Sequence, residues 1–217
     1  MNEISVEIWT DVVCPWCFIG KRRFEKALDL SGLREAVRVR WRSFELDPAA
    51  PRVTDETIPE RMLRRQGIPP RQAARLLAGV SAQAADEGLD YDLALARPSN
   101  TFDAHRLVHH AESLGLAGRL QERLMVAYTK EGASLSDHPT LLALAGEAGL
   151  EADPVRAVLA GDAYADAVRA DEERATRFGV SAVPSFVVAG RWTASGAQTA
   201  DVLADLLRKA HAATTAP

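Results

Sequence analysis

Alternating apolar residues typical of β-strands occur only near the two ends of this 217-residue chain, and this distribution restricts the folds open to it. Residues 4–9 alternate in this way, and an apolar helical stripe follows from Pro15, a residue that suits the first turn of a helix. Residues 37–42 alternate again, with arginines on the polar face. The order strand, helix, strand predicts a βαβ unit. The apolar phase then changes near Ser43, which predicts a bulge or bend in the second strand.

The middle of the chain is rich in alanine, leucine, arginine and glutamate and shows no strand pattern. Its periodicity predicts helices over 57–66, 71–86, 101–114, 117–130, 139–148 and 154–160. Strand patterns return at 185–188 and around Trp192, after a helical stripe that ends at Gly179 and before a last helix that Thr199 can cap. The sequence therefore predicts an α/β domain over 1–48 and 164–217, split by an all-helical insertion over 49–163 that is far too long for a loop.

Charge and hydropathy exclude several classes of partner. The formal net charge of −4 lacks the basic excess that is typical of nucleic-acid-binding domains. No apolar run approaches the ~18 residues of a membrane span, and the N-terminus lacks the basic and apolar regions of a secretory signal. We therefore expect a cytoplasmic protein with neither nucleic acid nor membrane as a partner.

The chain has only two cysteines, Cys14 and Cys17, separated by Pro15 and Trp16. They lie where the first strand leads into a helix, so the free N–H groups and dipole of the helix start can stabilise a Cys14 thiolate, the attacking species in disulfide exchange. Cys17 follows one turn later and can attack Cys14 to resolve a mixed disulfide. This arrangement predicts a redox-active disulfide with Cys14 as nucleophile and Cys17 as resolving thiol, without a cofactor or metal.

The same residues also allow other interpretations. The cysteines could form a zinc site with His105 and His109, or be small buried hydrophobes. The proline and the helix start favour the redox pair. The histidines, including His110, are interpreted as surface or satisfied core residues. The basic run 21–23 is interpreted as a solvated helix face, and the Trp16 ring as either a substrate contact or a packed aromatic.

Val183-Pro184 precedes the third predicted strand. A cis bond here would present the Val183 backbone to an extended peptide lying over Cys14. An ordinary trans proline at the start of an edge strand is the alternative.

Three separated segments resemble one known family: residues 11–17 (DVVCPWC), 100–107 (NTFDAHRL) and 195–198 (SGAQ). Together with the order of elements they resemble the DsbA family of thioredoxin-fold oxidoreductases, in particular its FrnE-like branch, which is related to 2-hydroxychromene-2-carboxylate isomerases and kappa-class glutathione transferases. The resemblance spans essentially the whole chain and implies a thioredoxin-like α/β fold with a large helical insertion. It implies that Val183-Pro184 is a cis-proline loop facing the cysteines and that the helix near Asn100 packs beside the active site. Substrate contacts are then expected from Pro15, Trp16, Val183, Pro184 and Asn100.

The sequence also departs from the family pattern. Ile8 stands where thioredoxin and DsbA keep a buried acid, so the proton acceptor for Cys17 must be Asp11, Glu7 or water. Trp16 replaces the histidine of DsbA, which predicts a potential below the ~−120 mV of DsbA and nearer the ~−270 mV of thioredoxin. The predicted function is disulfide exchange with protein or small-molecule thiols, with glutathione as a candidate co-substrate. A glutathione-dependent isomerase or transferase is the alternative, although those relatives generally carry serine in place of Cys14. The resemblance leaves a homodimer open.

Overall fold

The protein is described by a computed structural model that covers residues 3–215. Its sheet has the strand order β2-β1-β3-β4. β1 pairs parallel with β2 and antiparallel with β3, and β3 pairs antiparallel with β4. Both ends of the chain thus build one sheet, whose strands are β1 (Ile4–Thr10), β2 (Val37–Ser43), β3 (Ser185–Val188) and β4 (Trp192–Ser195).

The helices fall into two groups. Three helices directly precede or follow a strand of the sheet along the chain: α1 (Pro15–Ser31), α8 (Ala165–Arg177) and α9 (Ala200–Thr215). The others lie between β2 and α8: α2 (Ile58–Gln66), α3 (Pro70–Asp86), α4 (Phe102–Glu112), α5 (Ala117–Glu131), α6 (His138–Glu147) and α7 (Ala152–Ala160). The chain therefore has the thioredoxin-like α/β fold with a large all-helical insertion, and the predicted helices are confirmed with small differences at their ends. The division at 48/49 and 163/164 stays a prediction.

Each face of the sheet is covered by a different part of the chain. Ile4, Val6 and Ile8 of β1 are buried against apolar residues of α1 and α9, such as Phe24 and Leu203. On the opposite face Trp9 is fully buried. Its indole N–H donates to the Asp171 carbonyl of α8 at 2.9 Å, and its ring centroid lies 5.8 Å from that of Phe178. The alternation in β1 thus fixes which helices cover which face.

Two further apolar clusters explain where the cysteines lie. One fills the helical insertion, with Leu107 and Leu124 among its fully buried members. The other contains both cysteines together with Met125 of α5 and Val187 of β3. The cysteines therefore lie where the sheet meets the helical insertion. Among residues 3–215, no helix has both the length and the apolar character needed to cross a membrane.

Two sequence interpretations need correction. β2 pairs with β1 in continuous register up to Thr10–Ser43 and ends there, so the strand has no bulge. The bend, the other expected cause of the change in apolar phase, comes after the strand, at Leu46. The basic run after the cysteines is not a solvated face, because the Lys21 side chain is 6% exposed and lies 2.5 Å from a Glu122 carboxylate oxygen. Arg22 binds the same glutamate, so these charges join α1 to α5.

Candidate active site

Cys14 occupies the N-cap position of α1. Its backbone is extended (φ −96°, ψ 109°), Pro15 follows as the first helical residue, and no side chain caps the helix. The Cys17 N–H donates to the Cys14 carbonyl at 2.9 Å, which closes the first turn. Pro15 has no N–H and the Cys14 N–H donates to the Asp11 carbonyl at 3.1 Å, so the positive end of the helix dipole is the feature of the helix start that acts on the Cys14 sulfur.

The two thiols differ in environment. Cys14 is 5% exposed and Cys17 is fully buried, and both are free thiols in this structure. Burial raises the pKa of the Cys17 thiol well above its ordinary value, and the neighbouring Cys14 and the charge of Asp11 raise it further, against a hydrogen bond from the Asp11 backbone. Cys17 is therefore held as a thiol until a base removes its proton, which suits the second of two consecutive attacks.

The loop before β3 lies over the first cysteine. The Val183-Pro184 peptide bond is cis, the isomer that the family resemblance implies. The Cys14 Sγ donates to the Val183 carbonyl at 3.8 Å, although the two residues are 169 positions apart. The structure thus brings together four of the predicted site residues, Pro15 and Cys14 on one side and Val183 and Pro184 on the other.

Tyr91, which the sequence analysis did not single out, supports the cysteine turn. Its hydroxyl donates to the Pro15 carbonyl at 2.8 Å, and its ring stacks on Phe18 with centroids 6.2 Å apart. Burial, followed by the charges of the cysteines, raises the pKa of this hydroxyl, so it remains a donor. Tyr91 comes from the loop after α3, and no local pattern in the sequence indicates this long-range contact.

An apolar cavity of about 550 Å³ opens beside the cysteine turn. Pro15 and Trp16 form one wall, and α2 and α3 supply most of the others. Trp16 is partly buried, so its ring is both packed and available to a ligand. The apolar side chains that the helices contribute are Ile58, Met62, Leu76, Leu77 and Val80.

Asn100, which the family resemblance implies as a substrate contact, does not line this cavity. Its side-chain N–H donates to the Pro48 carbonyl at 3.2 Å, and its side-chain oxygen accepts from the Phe102 N–H at 3.2 Å. Both ends of the amide are thus used to fix the loop before α4. The structure gives Asn100 a supporting role and brings it to neither cysteine.

Buried polar groups lie close to the cysteine turn. Asp11 is fully buried, and one carboxylate oxygen accepts from the Leu46 N–H at 2.8 Å. The other oxygen lies 3.4 Å from Nε2 of His105, and neither of these two atoms has a hydrogen-bond partner within the described residues. Burial alone would lower the pKa of His105, but the Asp11, Glu45 and Glu172 carboxylates raise it overall. His105 is therefore a buried histidine beside the Asp11 carboxylate and not a surface residue.

The remaining histidine of the zinc alternative faces elsewhere. The Nε2 of His109 lies 3.1 Å from the Ser43 hydroxyl and 3.2 Å from an Asp171 carboxylate oxygen. Within residues 3–215, no three or more histidine, cysteine, aspartate and glutamate side chains are grouped to hold a metal ion. The side chains present therefore do not form the donor set that the zinc alternative requires.

Comparison with known proteins agrees with this geometry. Residues 5–208 match the DsbA-like thioredoxin domain. The chain belongs to the DsbA-like thioredoxin family. A probable DsbA oxidoreductase from Streptomyces coelicolor is 40% identical and superposes with a TM-score of 0.92 over 99% of this chain and 93% of that one. The uncharacterized protein YwbO of Bacillus subtilis is 26% identical over 92% of this chain and 93% of its own. The cytosolic disulfide reductase DsbM from Pseudomonas aeruginosa shares the fold, at 21% identity, a TM-score of 0.59 and coverage of 97% and 98%.

The segment 195–198 of this DsbA-like chain packs against the Val183-Pro184 loop, which Cys14 also contacts. The Gly196 N–H donates to the Pro184 carbonyl at 2.8 Å, and an Arg23 side-chain N–H donates to the Ala197 carbonyl at 2.6 Å. The segment is thereby tied to both the proline loop and α1. Two of the three resembling segments thus meet around the cysteines, and the third contributes His105 behind them.

Proposed function

We propose that this DsbA-like protein is a thiol–disulfide oxidoreductase in which Cys14 attacks and Cys17 resolves. The observation that carries the proposal is the position of Cys14, at the uncapped start of α1 and 3.8 Å from the Val183 carbonyl. Cys17 lies fully buried one turn behind it. From this position the partly exposed Cys14 sulfur can attack a substrate disulfide, and the buried Cys17 can then attack the Cys14 sulfur from within the protein.

The reaction then proceeds in two exchanges. The Cys14 thiolate attacks one sulfur of a substrate disulfide, forms a mixed disulfide and releases the other substrate sulfur, which takes up a proton. Cys17 loses its proton, attacks the Cys14 sulfur and releases the second substrate thiolate. The substrate gains two electrons, and the pair loses two as the Cys14–Cys17 disulfide forms. Run in reverse, the same steps oxidise a substrate dithiol.

The surface around Cys14 fits an extended substrate with an apolar portion. The backbone at Val183 and Pro184 can pair with a substrate main chain, as in strand addition. The cavity beside Pro15 and Trp16 can take apolar side chains. We therefore propose these four residues as substrate contacts, with protein disulfides or apolar small disulfides as substrates.

Glutathione is proposed as a co-substrate, and the cytoplasm as the location. Both proposals draw support from DsbM, described as a cytosolic disulfide reductase and also solved with glutathione. In a reducing compartment, glutathione would return the Cys14–Cys17 disulfide to the dithiol.

Insulin reduction with glutathione as the electron donor tests the proposed function. We expect Cys14→Ser to abolish activity, and Cys17→Ser to accumulate a mixed disulfide that mass spectrometry detects on Cys14. A glutathione-dependent isomerase has no use for a resolving thiol, so turnover of a 2-hydroxychromene-2-carboxylate by Cys17→Ser would favour that alternative. Disulfide reduction by the double variant would overturn the proposal.

A further inference from the structure

The cavity beside the cysteine turn is placed to hold a disulfide that Cys14 attacks. Val13 and Pro15, the neighbours of Cys14 on either side in the chain, both line it, together with Trp16. A group bound in the cavity therefore lies close to Cys14. The cavity volume of about 550 Å³ falls within the roughly 300–1,000 Å³ of cavities that hold small molecules. The cavity thus has the size for the body of a small-molecule disulfide.

Arg75 of α3 gives this cavity its only charge within the described part of the chain. The other side chains that line it are apolar or neutral, and the neutral polar ones include Gln83 and Tyr128. No acidic side chain between residues 3 and 215 lines the cavity. The cavity therefore presents a single positive charge on a largely apolar surface.

The Arg75 side chain is exposed, and it makes no hydrogen bond or ion pair with any of residues 3–215. Neighbours on a helix surface lie three or four positions apart. At these positions α3 carries an arginine, a glutamine, an alanine and a glycine (71, 72, 78 and 79). The helix itself therefore supplies no carboxylate to neutralise Arg75.

The arginines of α2, which forms another wall of the cavity, are all neutralised. Asp47 binds Arg61 and Arg65, and Glu56 binds Arg64 at 2.7 Å. An arginine without an acid at an apolar cavity is a binding group for a carboxylate, because the two groups form paired, charge-assisted hydrogen bonds. The formal net charge of −4 disfavours anions at long range. The affinity for an anion must therefore come from direct contact.

Gly79 leaves room for an apolar group beside Arg75. It lies one turn after Arg75 on α3 and also lines the cavity. A Cβ built on Gly79 would meet nothing within 4 Å, and Leu76 and Val80 add apolar surface to the same wall. An aromatic or aliphatic body can therefore lie over Gly79 while its carboxylate binds Arg75.

We propose that this cavity selects small-molecule disulfides whose apolar body carries a carboxylate, and that Arg75 binds this carboxylate. The proposal rests on the proposed function and names its substrate class. The Cys14 thiolate attacks the sulfur of the bound half, the bond between the two substrate sulfurs breaks, and the other half leaves as a thiolate. Cys17 gives its proton to solvent and attacks the Cys14 sulfur, and the bound half leaves as a second thiolate. The substrate gains two electrons and the cysteine pair loses two. Arg75 determines specificity and makes no covalent bond.

Two aromatic disulfides test this proposal in single turnovers of the reduced protein. Dithiobis(nitrobenzoate) carries a carboxylate on each ring, dithiodipyridine carries none, and both release thiols that absorb light. We expect Arg75→Gln to raise the half-saturating concentration of the nitrobenzoate probe about 10-fold, the order expected for one hydrogen bond between charged groups. The value for dithiodipyridine should stay at that of the wild type. Arg75→Lys keeps a positive charge and should recover part of the loss.

Arg71→Gln is the matched control. Arg71 is exposed one turn earlier on α3, has no partner among residues 3–215 and does not line the cavity. The control removes the same charge from the same helix and should change neither probe. Gly79→Leu fills the gap in the wall and should raise the half-saturating concentration of both probes. Circular dichroism confirms that each variant is folded.

Binding of naphthoate, measured by calorimetry, supplies a readout that needs no thiol. We expect Arg75→Gln to weaken it about 10-fold, whereas the neutral naphthalenemethanol should bind both proteins equally. If the wild type opens neither disulfide but binds naphthoate in this way, the proposed function fails and the carboxylate site stands.

Three other results would overturn the inference while leaving the proposed function intact. In the first, Arg75→Gln affects the charged and the neutral disulfide equally, so that Arg75 does not recognise a carboxylate. In the second, Arg71→Gln weakens the nitrobenzoate probe as much as Arg75→Gln does, so that the effect is one of general charge. In the third, Arg75→Gln slows only the opening of a disulfide-linked acidic peptide, so that the partner is a peptide.

Discussion

Gly20 of α1 lies directly against Pro184, the residue whose loop covers Cys14. A Cβ built on Gly20 would come within 2.8 Å of the Pro184 Cγ and 3.4 Å of its Cβ. The proline ring cannot swing aside as a long side chain would. The helix that carries the cysteines and the loop that faces them are therefore in contact at a position where only glycine fits.

Gly20→Ala should accordingly destabilise the protein and slow disulfide exchange. Replacing a mid-helix glycine by alanine normally stabilises by about 1 kcal/mol, but overpacking a buried contact costs about 1–3 kcal/mol, and the clash also displaces the loop over Cys14. Urea unfolding and insulin reduction measure the two effects. Gly146→Ala in α6 is the matched control, since a Cβ there meets nothing within 4 Å, and it should leave activity intact. A Gly20→Ala protein that is more stable and fully active would contradict this account.

Leu76→Glu should weaken turnover of apolar and protein substrates. Leu76 lines the cavity beside Trp16 and is 47% exposed, so a charge there disturbs the cavity more than the fold. We expect KM for a peptide disulfide with apolar side chains to rise about 10-fold, the effect of losing 1.4 kcal/mol of binding. Reduction of glutathione disulfide should change little. Leu114→Glu, at an exposed leucine outside the cavity, serves as the control; equal effects from the two variants would exclude the cavity as a substrate site.

Glu7→Gln should remove part of the acid sensitivity of the fold. Burial alone would raise the pKa of Glu7, but hydrogen bonds from Arg174 and Arg42, together with their charges, lower it below the ordinary value of 4.5. The carboxylate therefore contributes stability that is fully present above about pH 4.5 and is lost as the pH falls through the lowered folded-state pKa. Breaking this buried ion pair should cost about 3 kcal/mol at pH 7. In urea unfolding at a series of pH values, the difference in free energy of unfolding between wild type and variant should narrow towards pH 3. A difference that stays constant with pH would contradict a lowered pKa of Glu7.

The redox potential should lie below the ~−120 mV of DsbA, because no histidine stands between the cysteines to stabilise the thiolate. Trp16→His should make the pair more oxidising, by roughly 30 mV if the imidazolium stabilises the reduced form by about 1.4 kcal/mol. Equilibration against glutathione buffers, read by alkylation, gives both values. A wild-type potential as high as that of DsbA would refute the prediction.

Local patterns predicted the parts of the fold that depend on neighbouring residues. The strands β1 and β2, the helix start at Pro15 and the cap at Thr199 each depend on a short segment, and the structure has them. The end of a strand and a bulge produce the same apolar pattern, so the change of phase at Ser43 does not distinguish between them. The pairing of β2 with β1, which depends on distant residues, decides whether the strand ends or bulges.

The candidate site was predicted where a motif carries it and missed where distant side chains meet. The cysteine roles follow from one turn of helix, and the Val183-Pro184 loop followed from the family resemblance. His105 and Asp11 are far apart in sequence, and Lys21 and Glu122 are 101 positions apart. A single sequence does not distinguish a charged residue that is buried beside a partner from a charged residue on the surface.

The order in which the chain is made gives the contact between Cys14 and Val183 a further consequence. The two residues are 169 positions apart. At a synthesis rate of about 5–20 residues per second, Cys14 is therefore synthesised roughly 10–30 seconds before Val183. During that interval β3 and β4 do not yet exist, so the nascent chain presents both thiols to any electrophile in its surroundings. A ribosome stalled before Val183 would therefore carry a protein whose cysteines react freely with alkylating reagents, and completion of translation would itself protect them.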